Sequence, residues 1–254
     1  MFSDEIIKKL LNANVVSALT GAGVSAESGV PTFRDPGGIW EKFRPEQLAN
    51  FEAFMADPDF VWSWYQHRRE IMREVKPNPG HYALAEMEKL FDEFNLITQN
   101  IDNLHQRAGS RRVTELHGNI ERNFCINCRT FVGEVDIKEK SVLKCKKCGG
   151  MIRPDVVWFG EMLPPDGLRY AENCAMNSDV FFSIGTSAEV YPAAMLPMIA
   201  KQSGAYVVEI NIKPTALSND VDEMIVGKSG QILKELTRVI KVKRENNAIN
   251  LKSS

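Results

Sequence analysis

The sequence predicts a doubly wound α/β fold, a mostly parallel sheet with helices on both faces, from which two insertions build a smaller lobe. Short β-branched apolar runs alternate along the chain with longer segments of helical period, as strands and their crossover helices do. The first run leads straight into a glycine-rich turn, the strand-to-helix joint of such sheets. Two stretches break the alternation, one rich in Gly and Pro and one holding four of the five cysteines.

Strand-length runs occupy 15–19, 96–98, 156–159, 180–184, 206–210 and 224–226, each bounded by turn residues. Helical periodicity marks 58–75, 81–94, 192–202 and 231–242 between them. The sheet and its covering helices are assigned to 1–34, 94–118 and 155–243 as a large domain. The smaller lobe takes 35–93, which opens as a loop (Pro36-Gly37-Gly38) and turns helical, and 119–154, where charges and cysteines replace apolar periodicity. Residues 244–254 are polar and read as a loose tail.

A chain of 254 residues, 44% of them apolar, buries roughly 70–75% of its unfolded surface and needs no disulfides for a core. Its 31 Lys plus Arg against 33 Asp plus Glu argue against a whole-molecule footprint for nucleic acid. No apolar run reaches the roughly 18 residues that span a bilayer. Ser3-Asp4-Glu5 puts acid ahead of the first apolar stretch, unlike a secretory or transit segment, so the expected compartment is the reducing cytoplasm.

The run 15–19 enters Thr20-Gly21-Ala22-Gly23-Val24-Ser25-Ala26, which fits G-x-G-x-x-A. Glycine there permits the tight turn and lets backbone approach a pyrophosphate held at the next helix N-terminus. Glycines that merely turn a strand into a helix would look the same. A dehydrogenase would carry an acid roughly 20 positions on, at the end of a second strand. That position falls near Glu41, inside the Gly/Pro loop, so a dinucleotide bound here lacks the usual ribose contact.

Cys125-x2-Cys128 and Cys145-x2-Cys148, separated by sixteen residues, have the spacing of a four-thiolate zinc site. Four thiolates close the tetrahedron and leave no position for water, which makes such a metal structural. Between Ile120 and Arg153 eight Lys plus Arg face four Asp plus Glu, a surplus of four that the doubly negative zinc–thiolate centre halves, so a nucleic-acid ribbon gains little support. Cys174 sits in a helical stretch and reads as a packed thiol.

Gln99-Asn100-Ile101-Asp102 follows the run 96–98, and His117 follows Val113-Thr114-Glu115-Leu116, so each polar cluster falls at a strand exit, where open α/β sheets bind ligands. An amide and a carboxylate there can hold a ribose or a carboxamide, and a histidine of ordinary pKa about 6.5 can take a hydroxyl proton. The competing reading has Asn100 and Asp102 capping a helix and His117 hydrogen-bonded in the core.

Together these segments resemble the sirtuins, NAD-dependent protein-lysine deacylases. The matching pieces are Gly21-Ala22-Gly23-Val24-Ser25, Gly29-Val30-Pro31-Thr32-Phe33-Arg34, Thr98-Gln99-Asn100-Ile101-Asp102-Asn103-Leu104-His105, Leu116-His117-Gly118, the four cysteines, Pro154-Asp155-Val156-Val157-Trp158-Phe159-Gly160-Glu161, Gly185-Thr186-Ser187 and Glu209-Ile210-Asn211, in order along the chain. The resemblance implies a Rossmann-type large domain with a smaller zinc-binding and helical domain. It implies that NAD is consumed: nicotinamide leaves, the acyl-lysine carbonyl oxygen captures C1′ of the ribose, and free lysine and O-acyl-ADP-ribose are released.

On this resemblance His117 is the general base toward a ribose hydroxyl, Asn100 and Asp102 position ribose, nicotinamide and a water, and Phe33 shields the reacting face. Gly21, Ala22, Gly23, Ser25, Ala26, Phe33, Arg34, Gln99, Asn100, Ile101, Asp102, Gly185, Thr186, Ser187 and Asn211 would hold NAD, although Thr186 and Ser187 also suit a helix N-cap. The acyl-lysine peptide would add as a strand between the domains, against Val157, Phe159, Gly160, Glu161 and Val190. One structural zinc would sit on Cys125, Cys128, Cys145 and Cys148.

Tyr65 and Arg68 stand three apart in the helical stretch 58–75 and share a face. A phenol beside a guanidinium is a carboxylate receptor, the fork meeting both oxygens and the hydroxyl adding a neutral donor. The plainer alternative is a surface Arg next to a half-buried Tyr. The same Tyr-x-x-Arg pattern marks the sirtuins that remove succinyl and malonyl groups, and Ala49 matches a small residue that widens their acyl pocket, so the resemblance implies acidic acyl groups beside acetyl. Two other classes use the same residues differently: a mono-ADP-ribosyltransferase, in which a side chain or water captures C1′, and a non-catalytic NAD-sensing module.

Overall fold

The structure, a computed structural model, describes residues 2–32 and 48–252. Ser3 opens the first helix, α1 (Asp4–Asn12), by accepting the Ile6 N–H at 3.2 Å, with Asp4 and Glu5 in the first turn against the positive end of the helix dipole. The acid ahead of the first apolar stretch is thus a helix-starting device. There follow β1 (Val15–Thr20), α2 (Ala22–Ala26), α3 (Phe51–Ala56), α4 (Pro58–Glu74), α5 (Pro79–Met87), β2 (Glu93–Thr98), α6 (Leu104–Arg107), β3 (Val113–Glu115), β4 (Gly118–Cys125) and β5 (Ile152–Val156). The second half runs α7 (Pro165–Met176), β6 (Val180–Ile184), a 3-10 turn (Ala193–Met195), α8 (Leu196–Gln202), β7 (Tyr206–Asn211), β8 (Glu223–Val226) and α9 (Ser229–Lys252).

Six strands form one sheet in the order β3-β2-β1-β6-β7-β8, every pairing parallel. The chain leaves β1 toward β2 and β3, then returns to add β6 on the other side, so the topological switch lies beyond β1 and β6. Successive strand residues face opposite layers: Val16 and Ala18 pack with Leu10, Leu84 and Leu233, while Leu19 packs with Cys174, Phe181 and Leu196. Burial on both faces explains the continuous apolar runs. The doubly wound α/β fold expected from the sequence is the one observed.

A second core lies beside the sheet. β4 and β5 pair antiparallel, from Gly118↔Val156 to Cys125↔Ile152, and Leu104, Ile120 and Trp158 pack there with Phe54 and Tyr65. Arg69 of α4 ties helix to ribbon by donating to Ile120 O and Asn123 Oδ1, both at 2.6 Å. No helix of the described residues is long and apolar enough to cross a membrane.

Three sequence-predicted segments end differently. The run 156–159 is no strand of the parallel sheet: β5 stops at Val156, Gly160 turns the chain at φ 84°, and Val156 and Trp158 pack with Phe54 of α3 and with Val61 and Tyr65 of α4. Val157 meets the sheet's core and Phe159 is exposed. The helix expected over 81–94 ends at Met87, because Phe91 and Phe94 reach the same core from a turn and from β2. Helix α9 continues to Lys252 through the expected loose tail, and Arg244 anchors it by donating to Leu90 O, Leu10 O and Ala13 O.

Candidate active site

Strands β1, β2, β6, β7 and β8 end at one edge of the sheet, and a cleft of about 850 Å³ lies beyond them, in the size range of small-molecule sites. Gly21 and Gly23 leave β1 against Gly185, which leaves β6. The Gly23 N–H donates to Gly185 O at 2.8 Å, and a Cβ on Gly23 would stand 2.7 Å from Gly185 Cα. Contact between the two loops therefore demands these glycines, and all three also border the cleft. Gln99 Nε2 donates to Thr186 Oγ1 at 3.1 Å and Asn211 Nδ2 to Thr186 O at 2.9 Å, which ties three strand exits together. Thr186 Oγ1 accepts from Ala188 N at 3.2 Å within a turn, and the next helical turn begins only at Ala193, so the N-cap alternative for Thr186 and Ser187 falls.

Asn100 gives both amide hydrogens inward, to Gly21 O at 3.0 Å and Ser25 Oγ at 3.1 Å, and Ser25 Oγ in turn donates to Asp102 Oδ2 at 2.7 Å. The other Asp102 oxygen accepts the Leu104 N–H at 3.0 Å, so capping of α6 and membership of the polar cluster hold at once. Burial raises the Asp102 pKa, opposed by those two hydrogen bonds and by the charges of Arg68 and Arg107. Asn100 and Ile101 border the cleft; Ser25 and Asp102 stand behind that wall. His81, which sequence reasoning missed, completes the cluster. Its Nδ1 accepts from Asn78 N, so Nε2 carries the hydrogen and faces Ser25 Oγ at 3.3 Å. Its visible signal was only the capping box that it forms with Asn78.

His117 sits between β3 and β4 and borders the cleft. Its Nδ1 lies 2.9 Å from Gln99 O. A carbonyl only accepts, so Nδ1 carries the hydrogen and Nε2 keeps the lone pair. Burial lowers the His117 pKa, with the Gln99 bond acting the other way. Gly118 follows at φ 79°, and a Cβ there would overlap Asp155 O, so only glycine lets the ribbon close beside this histidine.

At the other end of the cleft, α4 delivers Tyr65 and Arg68, only 2% and 5% exposed. A surface Arg beside a half-buried Tyr is therefore not what is found. The Tyr65 oxygen accepts from Trp158 Nε1 at 2.8 Å, which leaves the phenol's own hydrogen to be given elsewhere. Burial pushes the Tyr65 pKa up to about 12, keeping the hydroxyl a neutral donor. The Arg68 guanidinium lies 5.4 Å over the Trp64 ring; burial lowers its pKa, against the pull of Tyr65 and Asp102. Ala49 borders the same end.

Val157, Phe159, Gly160, Glu161 and Val190 all border the cleft. Backbone N–H groups of the segment 157–161 are already paired within the chain. Val157 N–H goes to His117 O, Phe159 N–H to Ala49 O and Trp158 N–H to Glu161 Oε2. Cleft residues that sequence reasoning missed include Trp158 and the segments 212–216 and 227–229. The last follows β8 directly, so the strand-exit rule already pointed to it. Phe33 and Arg34 lie outside the described residues, as does Glu41.

The four Sγ atoms of Cys125, Cys128, Cys145 and Cys148 lie within 4.8 Å of one another, with Cys125–Cys148 at 3.5 Å and Cys128–Cys145 at 3.7 Å. Zinc bound to four sulfurs at about 2.3 Å sets S···S edges near 3.8 Å. The cysteines are free and fit that ion, and none borders the cleft, as a structural site requires. Cys174 is buried in the sheet's core, and burial pushes its thiol up, in keeping with a packed side chain.

The sequence profile of the Sir2 family matches residues 21–192. The chain is 53% identical to NAD-dependent protein deacylase 2 of Pyrobaculum aerophilum over 226 residues, covering 87% of this chain and 89% of that protein. It is 46% identical to the NAD-dependent protein deacylase of Thermococcus sibiricus, covering 95% and 96%. Among solved structures, a Sir2 homolog–NAD complex superposes with a TM-score of 0.90 at 45% identity, covering 96% of each chain. A Sir2–p53 peptide–NAD+ complex superposes at 0.86 with 32% identity, covering 95% and 100%.

Proposed function

The chain belongs to the Sir2 family and is an NAD-dependent protein deacylase, and from that premise we propose how its residues divide the reaction. NAD is consumed as a co-substrate in the cleft beyond the parallel strands, held by the exits at Gly21–Ala26, Gln99–Asp102, Gly185–Ser187 and Asn211, with Ser25 and Asp102 acting from behind Asn100 and with Phe33 and Arg34 contributing as the family resemblance implies. The acyl-lysine of a protein or peptide enters past 157–161 and Val190. Its carbonyl oxygen attacks C1′ as nicotinamide departs, a step that needs alignment and a dry site more than a strong acid.

Asn100 acts here as a fixed amide, because both its hydrogens are anchored. Ser25 and Asp102 hold it from behind the wall. His117 then takes the proton of a ribose hydroxyl on Nε2, and the oxygen attacks the imidate carbon; water releases free lysine and O-acyl-ADP-ribose. The single observation that carries this assignment is the His117 Nδ1 contact with Gln99 O at 2.9 Å, which fixes the tautomer with its basic nitrogen free of that bond.

The finer part of the proposal is the acyl group. Tyr65 and Arg68 receive a distal carboxylate, so succinyl- and malonyl-lysine are substrates beside acetyl-lysine, with Ala49 leaving room. A guanidinium this buried gains from an anion brought by the substrate, and the Tyr65 hydrogen adds a second donor. The ribbon cysteines hold one structural zinc, which closes the 125–148 segment and takes no part in the reaction; thiolate ligands suit the reducing cytoplasm.

Incubation with NAD and acetyl- or succinyl-lysine peptide, followed by mass spectrometry, tests all of this. O-acyl-ADP-ribose carrying the matching acyl group is expected. ADP-ribose attached to protein, with no acyl product, would favour the mono-ADP-ribosyltransferase alternative, and NAD binding without turnover the sensing module.

A further inference from the structure

Arg153 of β5 is 2% exposed and borders no part of the cleft, yet it is tied to the wall of the acyl end by four contacts. Its guanidinium pairs with Glu161 through both oxygens, at 2.5 and 3.0 Å. It donates to Val156 O at 2.7 Å and lies flat against the Trp158 ring, 3.3 Å from the centroid. Glu161 accepts the Trp158 backbone N–H at 2.8 Å, so the arginine, the carboxylate and residue 158, whose ring the arginine covers, form one closed unit. From that unit the indole Nε1–H reaches Tyr65. On the other side Arg153 neighbours Ile152, which pairs with Cys125 and packs with Cys145.

A planar fork that is bidentate on one side and stacked on the other has little rotational freedom, and it transfers that fixity to the ring beneath it. The indole Nε1–H of Trp158 then holds one lone pair of the Tyr65 oxygen, which restricts where the phenol can aim its own hydrogen. We propose that Arg153 is a positioning residue for acyl selection: clamped to Glu161 and stacked on Trp158, it fixes the indole that orients the Tyr65 hydroxyl toward a distal carboxylate. This rests on the acidic-acyl proposal above and deepens it, and it gives Glu161 an internal task beside the substrate contact expected from sequence.

The test is the ratio of kcat/KM for succinyl-lysine peptide to that for acetyl-lysine peptide, measured on one preparation so that the folded fraction cancels. Arg153→Lys keeps the charge but loses the fork and the stack. The ratio is expected to fall about tenfold, through a higher KM for the succinyl substrate, the size of one well-aimed hydrogen bond. Arg153→Met combined with Glu161→Gln removes both charges, so that neither is left buried alone, and should show the same fall. Arg68→Met is run in parallel. An unchanged ratio in the Arg153 variants, with a fall in Arg68→Met, would overturn this proposal and leave the acyl reading standing. An unchanged ratio in Arg68→Met would remove both. Activity lost equally on both substrates in the Arg153 variants would show a role in the fold alone and would overturn it too.

Discussion

The two ends of the cleft are built in opposite ways. Where the parallel strands end, Asn100, His117 and Asn211 stand at strand exits, and backbone carbonyls hold them: Gly21 O, Gln99 O and Thr186 O. At the end proposed to receive the acyl group, Tyr65 and Arg68 come from a helix and meet other side chains, Tyr65 bonded to Trp158 and Arg68 over the Trp64 ring. Backbone support makes the first end rigid, whereas side-chain support lets the second be retuned by single substitutions. On the acyl reading proposed above, the division suits an enzyme whose chemistry is constant and whose acyl group is a matter of choice.

The largest effect that would sharpen this contrast lies in the ribbon beneath the acyl end. Cys145→Ser should lower zinc content and stability together, because closing the four-thiolate site supplies folding free energy to a segment with few apolar residues. For a chain of this size each kcal/mol lost lowers the melting temperature by about 2–4 °C, and several are expected to go. Full retention of one zinc per chain with unchanged melting would show that these cysteines are not the ligands.

Acid should strike the opposite end. Burial holds the His81 pKa near about 4, and His105 and His117 are also lowered, so the unfolded chain binds protons first as pH falls. His81 therefore contributes full stability above the unfolded pKa of about 6.5 and loses it on the way down to about 4, and His105 and His117 lose theirs in the same direction as pH falls below about 6.5. For His81 alone the loss reaches about 3 kcal/mol. Chemical denaturation at pH 7 and pH 5 measures it; equal stability at both would contradict neutral buried histidines.

Next in size, His117→Ala should lower turnover about 10²-fold or more on every acyl substrate while NAD binding and folding persist. Near-parental deacylation by the folded, metal-loaded variant would remove His117 from its role. Arg68→Met should instead discriminate: KM for succinyl-lysine peptide rises about 30-fold or more, from the about 2–5 kcal/mol lost with one partner of a desolvated pair, while the acetyl substrate stays within several-fold. Tyr65→Phe, losing a neutral hydrogen bond of about 0.5–1.5 kcal/mol, should show the same bias at only a few-fold. Equal losses on both substrates would erase the distinction between the two ends and with it the preference for acidic acyl groups.

Much of this molecule was legible without coordinates, and the legible parts share a property. Cys125-x2-Cys128 and Cys145-x2-Cys148, the glycine turn at Gly21 and Gly23, and the three-residue spacing of Tyr65 and Arg68 each lie within one short segment, where geometry follows from chain connectivity. Strand exits were legible as well, because sheet periodicity places them, and most of the expected cleft residues stand there.

What only the tertiary structure decided are contacts between segments far apart in the chain. The run 156–159 has the composition of a strand, but whether it joins a sheet or turns to bury Trp158 against Phe54 and Tyr65 depends on partners nearly a hundred positions away. Ser25 and Asp102 look like ligand contacts in the sequence; packing sets them behind Asn100. His81 carries only the capping box it forms with Asn78, which says nothing of Ser25, and Arg153 and Glu161 show their pairing only once β5 and the turn at Gly160 are folded. Sequence determines what a residue can donate, accept or bury and how it sits on its own element. Which neighbour meets that capacity is settled when the elements pack, since burial is a property of the assembled core rather than of any one segment.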